Sequence, residues 1–521
     1  MSQDIFDILI VGGGVNGAGI ARDAAGRGLK VMLVEMDDLA SKTSSASSKL
    51  IHGGLRYLEH YAFRLVREAL GERETLLSIA PHIIWPMTFV LPHDSTIRPA
   101  WMIRAGLFLY DHLAGRVTLP GSRQLDFRRH EAGRALDSRI TKGFSYADCW
   151  VDDARLVTLN ALDARERGAQ IHTRTRFVNA RREGGHWSVS VERAQGARAN
   201  VKARMLVNAA GPWVRDALNQ GLGVNDGARL RMVKGSHIVV RKLYDGDHAY
   251  ILQNNDKRIV FIIPYETDYT LIGTTDVPFE GDAGKVTISN EERAYLCAAA
   301  NRSLARPVQV DDIVWDYSGV RPLYDDGGVA EASKVTRDYT LDLQAGEGQA
   351  PLLSIYGGKI TTYRRLSEHA LEKLAPWIAG ARAAWTGSAA LPGGDLPGGD
   401  FIAFLANVRQ RYPFLPARTA LRLSRAYGTR IERIMGGARS LADLGRDLGA
   451  GLSEREVDYL IAEEFALEPS DILWRRSKLG LHGGAALADA LDSYMAKLEL
   501  TATRIDAAST EAPKSAGWGQ S

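Results

Sequence analysis

Residues 6–35 read FDILIVGGGVNGAGIARDAAGRGLKVMLVE, and the fold depends on how this stretch is parsed. Phe6 to Val11, apolar but for Asp7, is a run ending in glycine, the pattern of a strand buried on both faces of a parallel sheet. The residues after it have the helical spacing of small and apolar side chains, and KVMLVE reads as a second strand. Between strand and helix, Gly12, Gly14 and Gly17 form G-x-G-x-x-G. The first glycine permits a tight turn, and the second lets backbone N–H groups approach a pyrophosphate at the helix N-terminus. Ala21 and Gly28 stand where helix and sheet must pack closely. Glu35 ends the second strand at the distance where an acid accepts hydrogen bonds from a ribose hydroxyl, and its charge disfavours a 2′-phosphorylated nucleotide. A strand, a helix, a second strand and a terminal acid together point to dinucleotide binding.

Moving outward, LLSIYGGKITTYRRLSEHALEKL (352–374) repeats the strand, glycine turn and helix, and ARMLVNAAGPW (203–213) is a further buried-type strand ending in small residues. Between about 170 and 280 the text alternates, in HWSVSVE, SHIVV, RIVFIIPY and YTLIGTTD, as a mostly antiparallel sheet does. A second glycine turn and a large inserted sheet favour FAD over NAD. Tyr61 to Ala80 is amphipathic and helical, ended by Pro81. LPGGDLPGGD (391–400) has linker composition, and the text beyond it is helical, with a capping-box pattern at Ser453 and Glu456. The fold class expected is therefore α/β plus α+β: a Rossmann-like FAD-binding domain, an inserted antiparallel-sheet substrate domain and a helical C-terminal domain. The expected boundaries are 1–80, 151–220 and 341–385 for the FAD-binding domain, 81–150 for a helical insertion and 221–340 for the substrate domain. A linker follows at 386–400, then the helical domain at 401–505 and a disordered tail at 506–521.

A formal charge of +3 on 521 residues gives no support for a nucleic-acid partner. Cys149 and Cys297 are too few for a disulfide framework or a cysteine metal site; a reducing cytoplasm fits, and no metal is expected. No apolar run reaches the roughly eighteen residues that a membrane span needs, and no signal-peptide pattern opens the chain. WMIRAGLFLYDH (101–112), flanked by Arg98 and containing Arg104, fits either a core helix or a helix lying in a membrane interface.

SSKLIHGGLRYLEH (47–60) concentrates polar chemistry in one loop. Ser44, Ser45, Ser47 and Ser48 offer hydroxyls to phosphate or flavin atoms, and Gly53 with Gly54 allows backbone to approach a flat ring. Arg56, just beyond, suits bidentate recognition of phosphate or carboxylate. His237 at a strand mouth, Arg321 between glycine and proline, and Lys359 on the second glycine turn have comparable settings. Four basic side chains at turns and strand ends are able to converge on one anion beside a flavin.

The runs SSASSKLIHGGLRYLEH, DCWVDDARLV, LVNAAGPWV, KGSHIVV, DKRIVFIIP, IGTTDV, DDIVWDYSGVRPL and SIYGGKITTYR, in this order, closely resemble the aerobic FAD-dependent glycerol-3-phosphate dehydrogenases of bacteria. The resemblance is strong over residues 4 to 380 and looser beyond. It implies a D-amino-acid-oxidase-like flavoprotein that oxidises sn-glycerol 3-phosphate to dihydroxyacetone phosphate and passes electrons to ubiquinone. It further implies peripheral attachment to the cytoplasmic face of the inner membrane and a possible homodimer. Carried over by position, it adds Lys49, Leu50, His52, Val178, Ala210, Gly211, Gly358, Lys359 and Thr361 to the FAD contacts. Arg56, Tyr57, Lys359, Arg321 and His237 become candidate substrate ligands. His237, which titrates near working pH, is the leading candidate for the base, with an orienting hydrogen-bond donor as its alternative role, and Arg321 is a phosphate or hydroxyl clamp able to polarise the developing alkoxide. An amino-acid oxidase on the same fold would also need an arginine; dense basic charge favours phosphate over a zwitterion.

Overall fold

The computed structural model describes residues 5–93, 99–114, 118–194, 196–224, 229–256, 258–325 and 338–510. Phe6–Val11 is the heart of the first sheet. It pairs in parallel with Val31–Val34 on one side and Arg198–Asn208 on the other. Gln170–His172 and Leu352–Tyr356 extend the parallel sheet outward, and Thr340–Gln344 closes one edge antiparallel. Ile8, Leu9 and Ile10 have no exposed surface, as a run apolar on both faces requires. The helix Val15–Gly26 packs against Asp153–Glu166 and Tyr363–Leu374. HWSVSVE forms the strand His186–Arg193, which belongs to this first sheet and not the second; it pairs with the outer end of Arg198–Asn208 and with Thr175–Glu183.

The second sheet has ten strands among the described residues. The long strands Arg229–Arg241 and Ile313–Asp325 pair antiparallel, and Tyr269–Gly273, Ile259–Tyr265 and Ala249–Gln253 follow in order. The sheet continues into Ile84–Pro92 and Lys142–Val151, which corrects the expectation of a helical insertion at 81–150. IWPMTFVLP and KGFSYADCWV are rich in the aromatic and β-branched residues that fit a pleated surface. They bury Phe89, Leu91, Phe144, Tyr146 and Trp150 in one apolar cluster. Among the described residues the one α-helix of this segment is Ala100–His112, which buries only Leu107 and Tyr110.

The segment expected as a linker at 386–400 is pinned in place. The Leu391 N–H donates to the Ile79 carbonyl at 2.8 Å, and the Ala389 carbonyl accepts from Arg22 at 2.8 Å. Beyond it, Phe401–Arg411, Ala417–Tyr427, Glu454–Glu464 and Gly480–Thr510 build a helical domain with its own core. Ser453 caps its helix by accepting from the Glu456 N–H. The Glu456 carboxylate takes Arg422 and the Tyr427 hydroxyl instead of closing the box, because a buried guanidinium is the stronger partner. Of the tail expected from 506, the last helix carries the backbone to Thr510, and 511–521 lie outside the described residues.

Buried ion pairs dock this domain. Arg475 and Arg476, in the π-helical turn Ile472–Arg476, both bind Asp38, and Arg155 binds Glu464 at 2.9 Å through Nη2. Asp38 lies three residues past Glu35.

Candidate active site

The glycine turn is shaped by close approach. Gly12 has φ +109°, and a Cβ there would lie 2.5 Å from the Ala209 carbonyl oxygen; a Cβ on Gly17 would run into the Gly12 carbonyl. Glu35 accepts the Gly13 N–H at 2.6 Å and the Asp37 N–H at 2.9 Å. Burial pushes its carboxyl above the usual range, against those two N–H donations. Ser44 Oγ accepts the Val15 N–H at 3.0 Å and so caps the nucleotide-facing helix. A cleft of about 260 Å³ opens here, lined by Gly12, Gly14, Glu35, Ser44, Val178, Ala210 and Gly211. Its walls also carry Lys42, Thr43, Arg176, Trp213 and Gln220, for which the sequence reading gave no signal beyond the polarity of the loop. A crowded glycine turn, a carboxylate at the strand end and a mostly apolar trough fit the dinucleotide of FAD.

A second cleft, about 110 Å³, is lined by His52, Gly54, Arg56, Tyr57, Arg258, Thr274, Thr275, Asp276 and Arg321. Three arginines thus line one small volume, a composition suited to a phosphate dianion, although the Arg258 guanidinium rests over the Tyr295 ring at 5.4 Å. Arg321 is paired with Asp276 at 2.9 Å, so one wall also presents a carboxylate able to accept a hydroxyl. Lys359 Nζ sits 4.1 Å from the Tyr57 ring centroid, buried and without a hydrogen-bond partner among the described residues. Its turn is tied to the loop by the His52 N–H, which meets Thr361 Oγ1 at 3.4 Å. Gly358 packs against Asn16, next to the first glycine turn. Arg258 and Asp276 were missed as site residues, although both lie inside or beside the runs DKRIVFIIP and IGTTDV.

The serine loop is used differently from expectation. Ser45 Oγ lies 3.3 Å from the Lys42 carbonyl, and Ser47 donates to Asp153 at 2.8 Å. Lys49 is fully buried, with its ammonium on Asp153 at 2.8 Å and on the Ser45 carbonyl at 3.0 Å. Its side chain is therefore not available to a phosphate. Desolvation lowers the Lys49 pKa, and the Asp153 charge opposes the shift. Leu50 is in the core, and Gly53 donates its N–H to the Tyr110 hydroxyl at 2.8 Å. Ser48 Oγ lies 2.9 Å from His237 Nε2.

His237 is only 2% exposed and lies beside the second cleft, outside its lining. It stands opposite Gly273 on one neighbouring strand and Tyr317 on the other, and a Cβ on Gly273 would occupy the imidazole's space. Burial, with the charges of Lys49 and Arg321, holds its pKa down at about 3, so the ring is neutral at neutral pH. Nδ1 has no hydrogen-bond partner among the described residues.

A family model described as FAD dependent oxidoreductase matches residues 7–364, and one described as the C-terminal domain of alpha-glycerophosphate oxidase matches residues 385–502. The glycerol-3-phosphate dehydrogenase of Pseudomonas tolaasii is 54% identical over 505 residues, covering 97% of this chain and 98% of that protein. The aerobic glycerol-3-phosphate dehydrogenase of Escherichia coli is 50% identical, covering 96% and 99%. The D-erythritol 1-phosphate dehydrogenase of Brucella abortus is 52% identical, covering 91% and 95%. A crystal structure of the glycerol-3-phosphate dehydrogenase from Bacillus halodurans complexed with FAD superposes with a TM-score of 0.74 at 26% identity, covering 96% and 95%. With both ends of the molecule matched in this way, the chain belongs to the FAD-dependent oxidoreductase family, in the group that contains the glycerol-3-phosphate dehydrogenases.

Proposed function

We propose that this protein oxidises sn-glycerol 3-phosphate to dihydroxyacetone phosphate, with ubiquinone as the final acceptor. The observation that carries the reading is the cleft in which Arg56, Arg258 and Arg321 converge beside Lys359 and a buried neutral histidine. Bound FAD supplies the hydride acceptor for the C2 hydrogen. Arg56, Arg258 and Lys359 hold the phosphate, with Tyr57 beneath the Lys359 ammonium, and this orients C2. In this reading His237, behind the cleft lining, takes the C2 hydroxyl proton, and Arg321 stabilises the developing alkoxide. Ser44, Val178, Ala210 and Gly211 belong to the FAD trough. His52 and Gly54 line the second cleft, and the His52 N–H meets Thr361 Oγ1 on the turn that carries Gly358.

The kinship with D-erythritol 1-phosphate dehydrogenase favours a second reading, a polyol phosphate one carbon longer. Anaerobic bleaching of the flavin absorbance decides between them: rapid bleaching by glycerol 3-phosphate supports the first reading, and bleaching by D-erythritol 1-phosphate alone replaces it.

No helix among the described residues is long and apolar enough to cross a membrane. The helix Ala100–His112 leaves Trp101 (70% exposed), Met102, Phe108 and Leu109 on one side of its surface. Tyr61 and Phe63 are exposed around the turn Leu55–His60 that packs against it. This apolar patch supports the interfacial reading over the core one, and with it peripheral attachment to the cytoplasmic face of the inner membrane. Trp101→Asp with Phe108→Asp is expected to abolish sedimentation with anionic liposomes while flavin bleaching persists; unchanged sedimentation would remove this patch as the contact. A homodimer is compatible with the family reading.

A further inference from the structure

The strand Ile313–Asp325 carries WDYSGVRP along Arg229–Arg241, its one partner in the second sheet among the described residues, with Tyr317 opposite His237 and Trp315 opposite Val239. Because strand side chains alternate, Trp315, Tyr317, Gly319 and Arg321 share one face. That face runs from the helical domain to the anion cleft. At one end Trp315 stacks on Trp474 of the helical domain, with ring centroids 4.7 Å apart and planes 21° apart. Next, Tyr317 lies 5.2 Å from Trp315 and stacks on His237 at 4.8 Å and 19°. At the far end Arg321 lines the cleft.

His237 needs such a support. Its one hydrogen bond among the described residues, to Ser48 Oγ, fixes a direction but not the plane of the ring. The plane is set by what lies flat against it, which is Tyr317. Tyr317 is held at its hydroxyl by the Ser47 carbonyl at 2.8 Å and at its side by Trp315. Trp474 is itself anchored. It occupies the π-helical turn Ile472–Arg476, a rare geometry often found at functional sites, whose two arginines clamp Asp38. Its carbonyl accepts Lys478 Nζ at 2.7 Å, and Gly480 leaves room for the indole, since a Cβ there would lie 2.5 Å from Cζ2.

We propose that Trp474 is a positioning residue for His237, so that the helical domain completes the active site through the stack Trp474, Trp315, Tyr317, His237. The proposal rests on His237 being the base in the reading above. Offset-stacked aromatic pairs are favoured beyond their burial, enough to bias one ring orientation.

The test uses the full-length FAD-loaded protein and two readouts: stopped-flow flavin bleaching by glycerol 3-phosphate, and the histidine 13Cε1 resonance that disappears in His237→Gln. Trp474→Ala is expected to lower the limiting bleaching rate about tenfold, with the half-saturating substrate concentration and FAD content unchanged, and to move the His237 resonance. Trp474→Phe, which keeps a flat face, restores most of the rate; Trp474→Leu, which keeps bulk alone, does not. Arg418→Ala removes a different contact between the helical domain and the second sheet, the ion pair to Asp268, and leaves rate and resonance alone. A normal rate and resonance in Trp474→Ala would overturn the proposal, as would equal losses in Arg418→Ala, which would mean general loosening of the domain. If the parent protein is not bleached by glycerol 3-phosphate, the substrate reading fails, and the histidine resonance alone then decides the stack.

Discussion

At the residue scale, the proposed mechanism separates arginines that hold charge from a histidine that moves a proton. Arg56→Ala is expected to raise KM for the phosphorylated substrate roughly 10- to 100-fold, the cost of one charge-assisted contact, with FAD content preserved. Steady-state kinetics beside the visible absorption spectrum check this; flavin loss would place Arg56 in cofactor binding instead. His237→Ala is expected to lower kcat about a hundredfold or more at nearly constant KM. Sequence reading found Arg56, Arg321 and His237 because each stands next to a glycine or a strand end where polar chemistry lacks a packing reason. It missed Arg258 and Asp276, which flank strands of the second sheet and reach the cleft only because distant partners place those strands. For Lys49 the proximity to the serine loop was visible and the ammonium's direction was not, because its counter-ion Asp153 lies about a hundred positions away.

At the scale of elements, the glycine turn was the most legible part of the molecule, because its constraint is local. Gly17→Ala is expected to yield protein with little flavin, read as the ratio of 450 to 280 nm absorbance, since the added methyl displaces the Gly12 carbonyl from the pyrophosphate side of the turn. Full flavin content would show that the turn relaxes. The strands Ile84–Pro92 and Lys142–Val151 were illegible for the opposite reason. Their apolar residues alternate only in part, and a run buried by both a sheet neighbour and a helix looks the same in a strand as in a helix. The π-helical turn at Ile472–Arg476 had no sequence signal; the two arginines that accompany it become meaningful only when Asp38 is placed beneath them.

At the scale of the whole molecule, acid sensitivity follows from two buried histidines. Burial holds His82 at about 3, with Arg155 and Arg425 adding to the effect, and His237 is likewise at about 3. An unfolded chain would bind a proton on each near pH 6.5 while the folded one does not, so unfolding is favoured progressively as pH falls from about 6.5 toward 3. The stability of each is retained above that window, and the slope within it is about 1.4 kcal/mol per pH unit per histidine. Denaturant midpoints measured from pH 7 to pH 4 should therefore fall, and His82→Leu should flatten the fall; a parallel curve in that variant would assign the sensitivity elsewhere. The broad plan was readable across the molecule because its parts announce themselves by period, while the joints between them did not, being made by single ion pairs. One such joint reaches further than docking. Glu35 and Asp38 belong to the same turn, one facing the nucleotide trough and the other gripped by Arg475 and Arg476. Whatever free energy the nucleotide adds by ordering that turn is shared with the helical domain, and by thermodynamic reciprocity a well-seated domain repays the same amount in cofactor affinity.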